Sequence, residues 1–310
     1  MKWLSTVVLA VLMSWIPGNR AFAAAPEKGQ TFPGPGVDIY YESLGTAAGV
    51  PLIVVNGGPG FDHTYLHISP VWEQLAKTRR IVMYDQRGTG RSSPVKAGEP
   101  CTLADQIADL EALRAHLGSR KISILGHSWG GLLGMAYAAR YPDAVAHLIL
   151  VDSAAPKWNE TAFLFSELYP EGTARKAAGR FAEQLGDRAA EEASMREYLS
   201  MLFYSPEKRA EFLATFPLPD VNTYVNEALN ADLERFDLNP ELGKFRFPSL
   251  VITGRYDANV APVTAWRIHQ GIANSQFVAF EHSGHIPFYE EPEMFVKVVG
   301  QFLSEPKTPH

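Results

Sequence analysis

Six short apolar runs, rich in β-branched residues, recur along the chain: "PLIVV" at 51–55, "RIVMYD" at 80–85, "KISILG" at 121–126, "HLILVD" at 147–152, "SLVITG" at 249–254 and "QFVAFE" at 276–281. Each is apolar almost throughout instead of alternating, which is the pattern of strands covered on both faces in a parallel sheet. Between them lie helical patterns. "CTLADQIADLEALRAHLG" puts Leu103, Ile107, Leu110, Leu113 and Leu117 on one stripe, opens on the capping-box pair Thr102 and Asp105, and stops at Gly118. "PVTAWRIHQGI" and "PEMFVKVVGQFL" repeat the pattern near the carboxyl end. Strand and helix alternating in this way predict an α/β fold on a mostly parallel sheet with right-handed crossovers.

The alternation breaks over residues 155–247, which are richer in Glu, Arg, Ala and aromatics and carry helical patterns without a strand run. A helical insertion between two strands of one sheet sits over the strands' carboxyl ends, where open α/β sheets bind ligands. The expected partition is a leader over 1–25, core over 26–154, a helical cap over 155–247 and core again over 248–310.

The leader is read from one Lys, an apolar stretch from Trp3 to Ile16, a Pro-Gly break and the small-residue run ending at Ala25. This is the pattern of a secretory signal cleaved after Ala23 or Ala25, and it predicts export to the periplasm or beyond. The stretch is shorter than the ~20 residues that span a bilayer, so no stable membrane anchor is expected after processing. An uncleaved anchor is the alternative. A formal net charge of −6 with no basic cluster excludes a nucleic-acid footprint. Cys101 is the only cysteine, so no intramolecular disulfide can form. Nothing in the sequence specifies an oligomeric state.

Chemistry enters at "LGHSWGG", residues 125–131. A Gly126-x-Ser128-x-Gly130 spacing between a strand and a helix forces the serine onto a tight turn that presents its hydroxyl. Such a serine needs a base, a group that orients the base, and donors for the oxyanion. The late segment "FEHSGHIPFYEEPE" offers His282 and His285 as bases; His127 is too close to Ser128 along the turn. Asp257, just past a strand in "VITGRYDANVAP", gives the chain order serine, acid, histidine, with Asp152 in "ILVDSA" as its rival. Oxyanion donors are expected from the backbone of Trp129 and from the "NGGPG" loop at 56–60, above all Gly58. "MYDQRGTGRSS" is read as a buried structural turn beside the serine, since no Walker lysine follows its glycines. His63 with His67, and His282 with His285, have metal-ligand spacing, but neither pair has a third ligand in sequence. No metal or other cofactor is expected.

Together "NGGPGFDHTYL", "YDQRGTGRS", "GHSWGG", "GRYD" and "SGH" resemble the α/β-hydrolases of the proline iminopeptidase family and its tricorn-interacting-factor relatives. The resemblance covers both flanks of the chain and leaves the helical insertion as the family's lid. It implies an α/β-hydrolase fold, a mostly parallel central sheet flanked by helices with an inserted helical cap, and it selects His285 over His282 as the base. It further implies a serine hydrolase working through an acyl-enzyme on a short-peptide or other small-molecule substrate, as an aminopeptidase releasing N-terminal proline or another small or apolar residue. A carboxylesterase or lactonase using the same residues is the alternative, and a ligand-binding protein without turnover a more distant one. Lid carboxylates hold the substrate amine in family aminopeptidases, which makes Glu227 and Glu234 candidates by region. Asn56 departs from the family's histidine at the head of the glycine loop. A histidine base predicts activity rising with pH through about 6 to 7.

Overall fold

A computed structural model describes residues 29–304 apart from positions 47, 97, 185–186, 217 and 219–220, so the expected leader lies outside the described residues. Eight strands form one sheet: β1 (Gln30–Pro33), β2 (Asp38–Leu44), β3 (Leu52–Val55), β4 (Ile81–Tyr84), β5 (Ile122–His127), β6 (Val145–Val151), β7 (Ser249–Gly254) and β8 (Ser275–Phe280). Their order is β1-β2-β4-β3-β5-β6-β7-β8. The six strands expected from apolar runs all form, and they pair parallel.

Both faces of β3 to β7 are covered, while β8 at the sheet edge is only half-buried. Leu52 and Val54 of β3 face a core shared with Trp72, Phe295 and Val299, while Ile53 and Val55 face the opposite one with Leu110, Leu113 and Leu132. Side chains alternate between faces, and each face has its own helices. The first core packs on α1 (Val71–Ala76) and α12 (Pro292–Ser304), the second on α2 (Leu103–His116) and α3 (Trp129–Arg140). Fully burying one such aliphatic side chain is worth about 1.5–3 kcal/mol.

The antiparallel pair β1 and β2 at the sheet edge was not expected from the apolar pattern. β2 buries a glutamate, Glu42, beside Tyr40 and Tyr41, so its sequence never forms an apolar run. On α2 the Thr102–Asp105 capping box forms as spelled. The buried face is wider than the expected stripe: Leu103, Leu110 and Leu113 are buried with Ile107 and Leu117 packed half-buried against the same core, and Gln106 and Asp109 are buried as well. The cause is Arg87, whose guanidinium is bound in parallel by both Asp109 oxygens at 2.7 Å each and draws that side of the helix inward. Arg87 also donates to the Pro100 and Pro35 carbonyls, so the "DQRG" segment is a buried turn.

Between β6 and β7 the described residues hold a 3-10 turn (Trp158–Glu160) and six α-helices: α4 (Phe165–Leu168), α5 (Pro170–Gln184), α6 (Arg188–Ser200), α7 (Pro206–Thr215), α8 (Thr223–Leu233) and α9 (Asn239–Leu242). α10 (Pro262–Gly271) joins β7 to β8, and α11 (Pro287–Glu290) precedes α12. Among the described residues no helix is long and apolar enough to cross a membrane.

Candidate active site

Ser128 joins β5 to α3 at φ +58°, a backbone region that non-glycine residues rarely occupy. Three backbone hydrogen bonds hold it there: its N–H donates to Val151 (3.0 Å), and its carbonyl accepts from Gly131 (2.9 Å) and Ala154 (3.0 Å). The glycines around it are required by space. A Cβ on Gly126 would lie 2.6 Å from the Cα of Gly131, and one on Gly130 would lie 2.6 Å from the Asn56 carbonyl oxygen.

The loops after β7 and β8 bring Asp257 and His285 together. His285 Nδ1 lies 2.8 Å from Asp257 Oδ2, and both side chains are buried. Asp257 Oδ1 accepts from the backbone N–H groups of Asn259 (2.8 Å) and Val260 (2.9 Å). His285 Nε2 lies 2.9 Å from Asn259 Nδ2, and the ring shares one cavity with Ser128. His282 is exposed, its Nδ1 3.8 Å from Glu291, away from this pairing. Asp152, at φ +45°, accepts from Gly254 N–H at 2.8 Å and stands close behind the pair.

Burial sets the electrostatics. It pushes the Asp257 carboxyl up to about 8, against the pull of the Val260 and Asn259 N–H groups and of Asp152. It pushes the His285 ring down to about 4. Asp152 is raised well above the usual carboxylate value by burial and then by the neighbouring Asp257.

His127 is buried beside the serine and is neutral, lowered by burial and by His285. Its hydrogen bonds run in one direction: Gly57 N–H donates to Tyr65 Oη (2.6 Å), Tyr65 Oη lies 2.6 Å from His127 Nδ1, and His127 Nε2 lies 2.8 Å from the His285 carbonyl oxygen. With the Gly57 N–H taken, Gly58 is the next donor of the loop, at φ +139° where a side chain would be strained. Trp129 is the first residue of α3, so its N–H has no partner within the helix. Its ring nitrogen donates to Gln86 Oε1 (2.8 Å), and Gln86 Nε2 donates to the carbonyl (3.0 Å) and Oδ1 (3.1 Å) of Asn56. Asn56 Nδ2 in turn donates to the Phe61 carbonyl at 2.8 Å. An amide thus ties down the loop at the position where the family resemblance leads one to expect histidine.

The cavity over Ser128 is narrow and mostly apolar, walled by Phe61 and by the cap residues Tyr198, Leu199, Leu202, Phe212 and Phe216, with Gly58 and His285 at its floor. No carboxylate lines it among the described residues. Glu227 and Glu234 do not reach it: both are exposed. α8 buries Val225, Leu229 and Leu233, and that four-residue spacing leaves Glu227 on the outer face. Tyr65 and Asn259 were not singled out from sequence. The available signal was their nearness to recognisable residues, Asn259 two beyond Asp257 and Tyr65 within "GFDHTYL". His282 and His285 do not form a ligand pair, since Asp257 takes the Nδ1 of His285 and His282 is exposed.

A family model described as alpha/beta hydrolase fold matches residues 50–292. The chain is 32% identical over 289 residues to a proline iminopeptidase of Lactobacillus helveticus, covering 87% of this chain and 95% of that one. Among solved structures, an alpha/beta fold family hydrolase from Bacillus anthracis superposes with a TM-score of 0.73 at 21% identity, over 89% of this chain and 99% of the other. The enol-lactonase from Burkholderia xenovorans superposes with a TM-score of 0.69 at 26% identity, over 89% of this chain and 100% of the other.

Proposed function

The chain belongs to the α/β-hydrolase fold family, and from that premise we propose that it is a serine hydrolase working through an acyl-enzyme, releasing N-terminal proline or another small apolar residue from short peptides. The observation that carries the chemistry is the buried 2.8 Å contact between Asp257 and His285 beside the strained Ser128 turn. His285 Nε2 takes the Ser128 proton as Oγ attacks the carbonyl carbon, while Asp257 holds the other ring nitrogen protonated. Gly58 and Trp129 N–H groups receive the oxyanion, a contribution of about 3 kcal/mol for each such donor. The imidazolium then protonates the leaving amine, and water deacylates the serine by the same route in reverse.

The identity to proline iminopeptidases over most of the chain supports the peptide reading, and the apolar cavity suits a pyrrolidine ring. A second reading, hydrolysis of small apolar esters or lactones, is favoured by one specific observation: the cavity has no carboxylate among its described lining residues to hold a substrate ammonium. A panel of Pro-anilide, N-blocked Pro-anilide and short acyl esters, run with wild type and Ser128→Ala, separates the two. An aminopeptidase loses activity when the amine is blocked, whereas an esterase prefers the esters. Turnover that survives Ser128→Ala sinks both. The amino-terminal pattern supports an exported location, which amino-terminal sequencing of the secreted or periplasmic fraction tests by a start after Ala23 or Ala25.

A further inference from the structure

His63 and His67 lacked a third ligand in sequence. The fold supplies one from the strand that the apolar pattern did not reveal. Glu42 of β2 turns its Oε2 toward both rings, 3.4 Å from His63 Nε2 and 3.0 Å from His67 Nε2. The two histidines are four residues apart across the short 3-10 turn Thr64–Ile68, with ring centroids 5.3 Å apart. All three ligating atoms lie within 4.8 Å of one another.

The other side of each group is already committed. His63 Nδ1 is bound to Asp85 Oδ1 at 2.6 Å, which orients the ring and leaves Nε2 as the atom that faces Glu42. Glu42 Oε1 accepts from Tyr40 Oη (2.7 Å) and from Arg91 (3.2 Å), so only Oε2 is left over. Glu42 Oε2 and His63 Nε2 are buried and have no hydrogen-bond partner. A buried carboxylate facing two imidazoles calls for positive charge between them, supplied by protons on the rings or by a metal ion. Apart from any protons on the imidazoles, the Glu42 and Asp85 carboxylates face the single guanidinium of Arg91, which is itself 62% exposed.

We propose that Glu42, His63 and His67 form a binding site for a divalent transition-metal ion of the zinc type, outside the hydrolytic centre. Two imidazole nitrogens and one carboxylate oxygen are a donor set suited to zinc, and bonds of about 2.0–2.1 Å in a tetrahedron separate ligand atoms by about 3.3 Å. The 3.4 Å and 3.0 Å separations bracket that value. Asp85 is the carboxylate behind a ligating histidine, the usual partner that orients such a ring. His67, 27% exposed, gives the ion its way in and places its fourth position, a water, toward solvent. The ion joins β2 to the segment that follows the "NGGPG" loop, and it takes no part in the acyl chemistry. The site therefore stands or falls apart from the hydrolase reading.

The test is metal binding by the full chain, stripped with a chelator and dialysed free of it. Zn²⁺ is titrated by calorimetry, Co²⁺ by its visible absorption, and thermal unfolding is followed with and without Zn²⁺. Wild type is expected to take one equivalent at micromolar Kd or tighter, to give the intense visible bands of low-coordinate Co²⁺, and to unfold at a higher temperature when loaded. His67→Gln and Glu42→Gln each weaken binding at least tenfold and remove the thermal shift. His282→Ala, at an exposed histidine outside the cluster, leaves both unchanged. The proposal is overturned if wild type binds no ion up to about millimolar, which would mean that protons alone close the cluster. It is also overturned if His67→Gln and Glu42→Gln bind as wild type does, or if His282→Ala abolishes binding. Should a ligand variant fail to fold, the stoichiometry and Co²⁺ bands of wild type decide: a weak octahedral spectrum counts against the site.

Discussion

Asp257→Asn tests the site more sharply than removal of the serine, because the structure dictates how the new amide must sit. Oδ1 of Asp257 accepts two backbone N–H groups, from Asn259 and Val260. Only the amide oxygen can take that place, so the amide nitrogen is driven into the position of Oδ2, facing His285 Nδ1 at 2.8 Å. A donor there makes Nδ1 the acceptor and moves the ring proton to Nε2. The base then offers Ser128 an N–H where a lone pair is needed. Asn259, whose amide lies 2.9 Å from Nε2, can turn its oxygen to meet that proton, so the wrong tautomer is satisfied and the fold is kept. A tautomer error of this kind costs about 10⁴-fold in kcat, or about 5.4 kcal/mol of barrier. The assay is kcat/KM on Pro-anilide and on an acyl ester, with thermal unfolding as the check on folding. Asp152→Asn is the comparison: its Oδ1 meets Gly254 N–H, which an amide oxygen accepts equally well, and a loss under about tenfold is expected. The reasoning fails if folded Asp257→Asn keeps more than a tenth of wild-type kcat/KM, or if Asp152→Asn is the variant that falls by 10⁴.

The base is competent when Asp257 and His285 share one proton, on Nδ1. Burial keeps a second proton in the pair, on the carboxyl, up to about 8, so kcat/KM on an acyl ester should fall as pH drops through about 8, above the 6 to 7 of an ordinary histidine; a profile flat down to pH 5 would contradict this. Arg87→Met leaves the buried Asp109 carboxylate without its partner and should cost about 3–5 kcal/mol in urea unfolding; a change under about 1 kcal/mol would mean the pair contributes little. Thr102→Ala removes the α2 cap at a surface turn and should lower stability by about 1 kcal/mol while leaving kcat/KM unchanged, as read from urea unfolding and turnover of the same preparation.

Strands β3 to β7 were legible because strands buried on both faces have few polar positions to blur them, and β8, half-buried at the edge, still carries the apolar run from Phe277 to Phe280. β1 and β2 were not, since β2 carries Glu42 inward, and an inward glutamate makes sense only once His63 and His67 are beside it. The leucine and isoleucine stripe of α2 packs on the core as read, but it carries no trace of Asp109 being drawn inward by Arg87. At the site, local patterns pointed to Ser128 and its glycines, while the choice of His285 over His282 came from family resemblance. The pairing of Asp257 with His285 spans 28 residues, which no local pattern encodes. Glu227 and Glu234 were chosen by region alone. The phase of Val225, Leu229 and Leu233 already carried the information that Glu227 points away.

The relay from Gly57 through Tyr65 and His127 to the backbone of His285 makes the imidazole next to the nucleophile in the chain a splint instead of a reagent. Both of its nitrogens are spoken for, one receiving and one giving, so it has no proton to trade. Three segments far apart in the chain are thereby clamped to a single rigid ring. Loosening any one of them would be felt by the other two, and the machinery would lose its alignment as a whole before any part of it came undone alone.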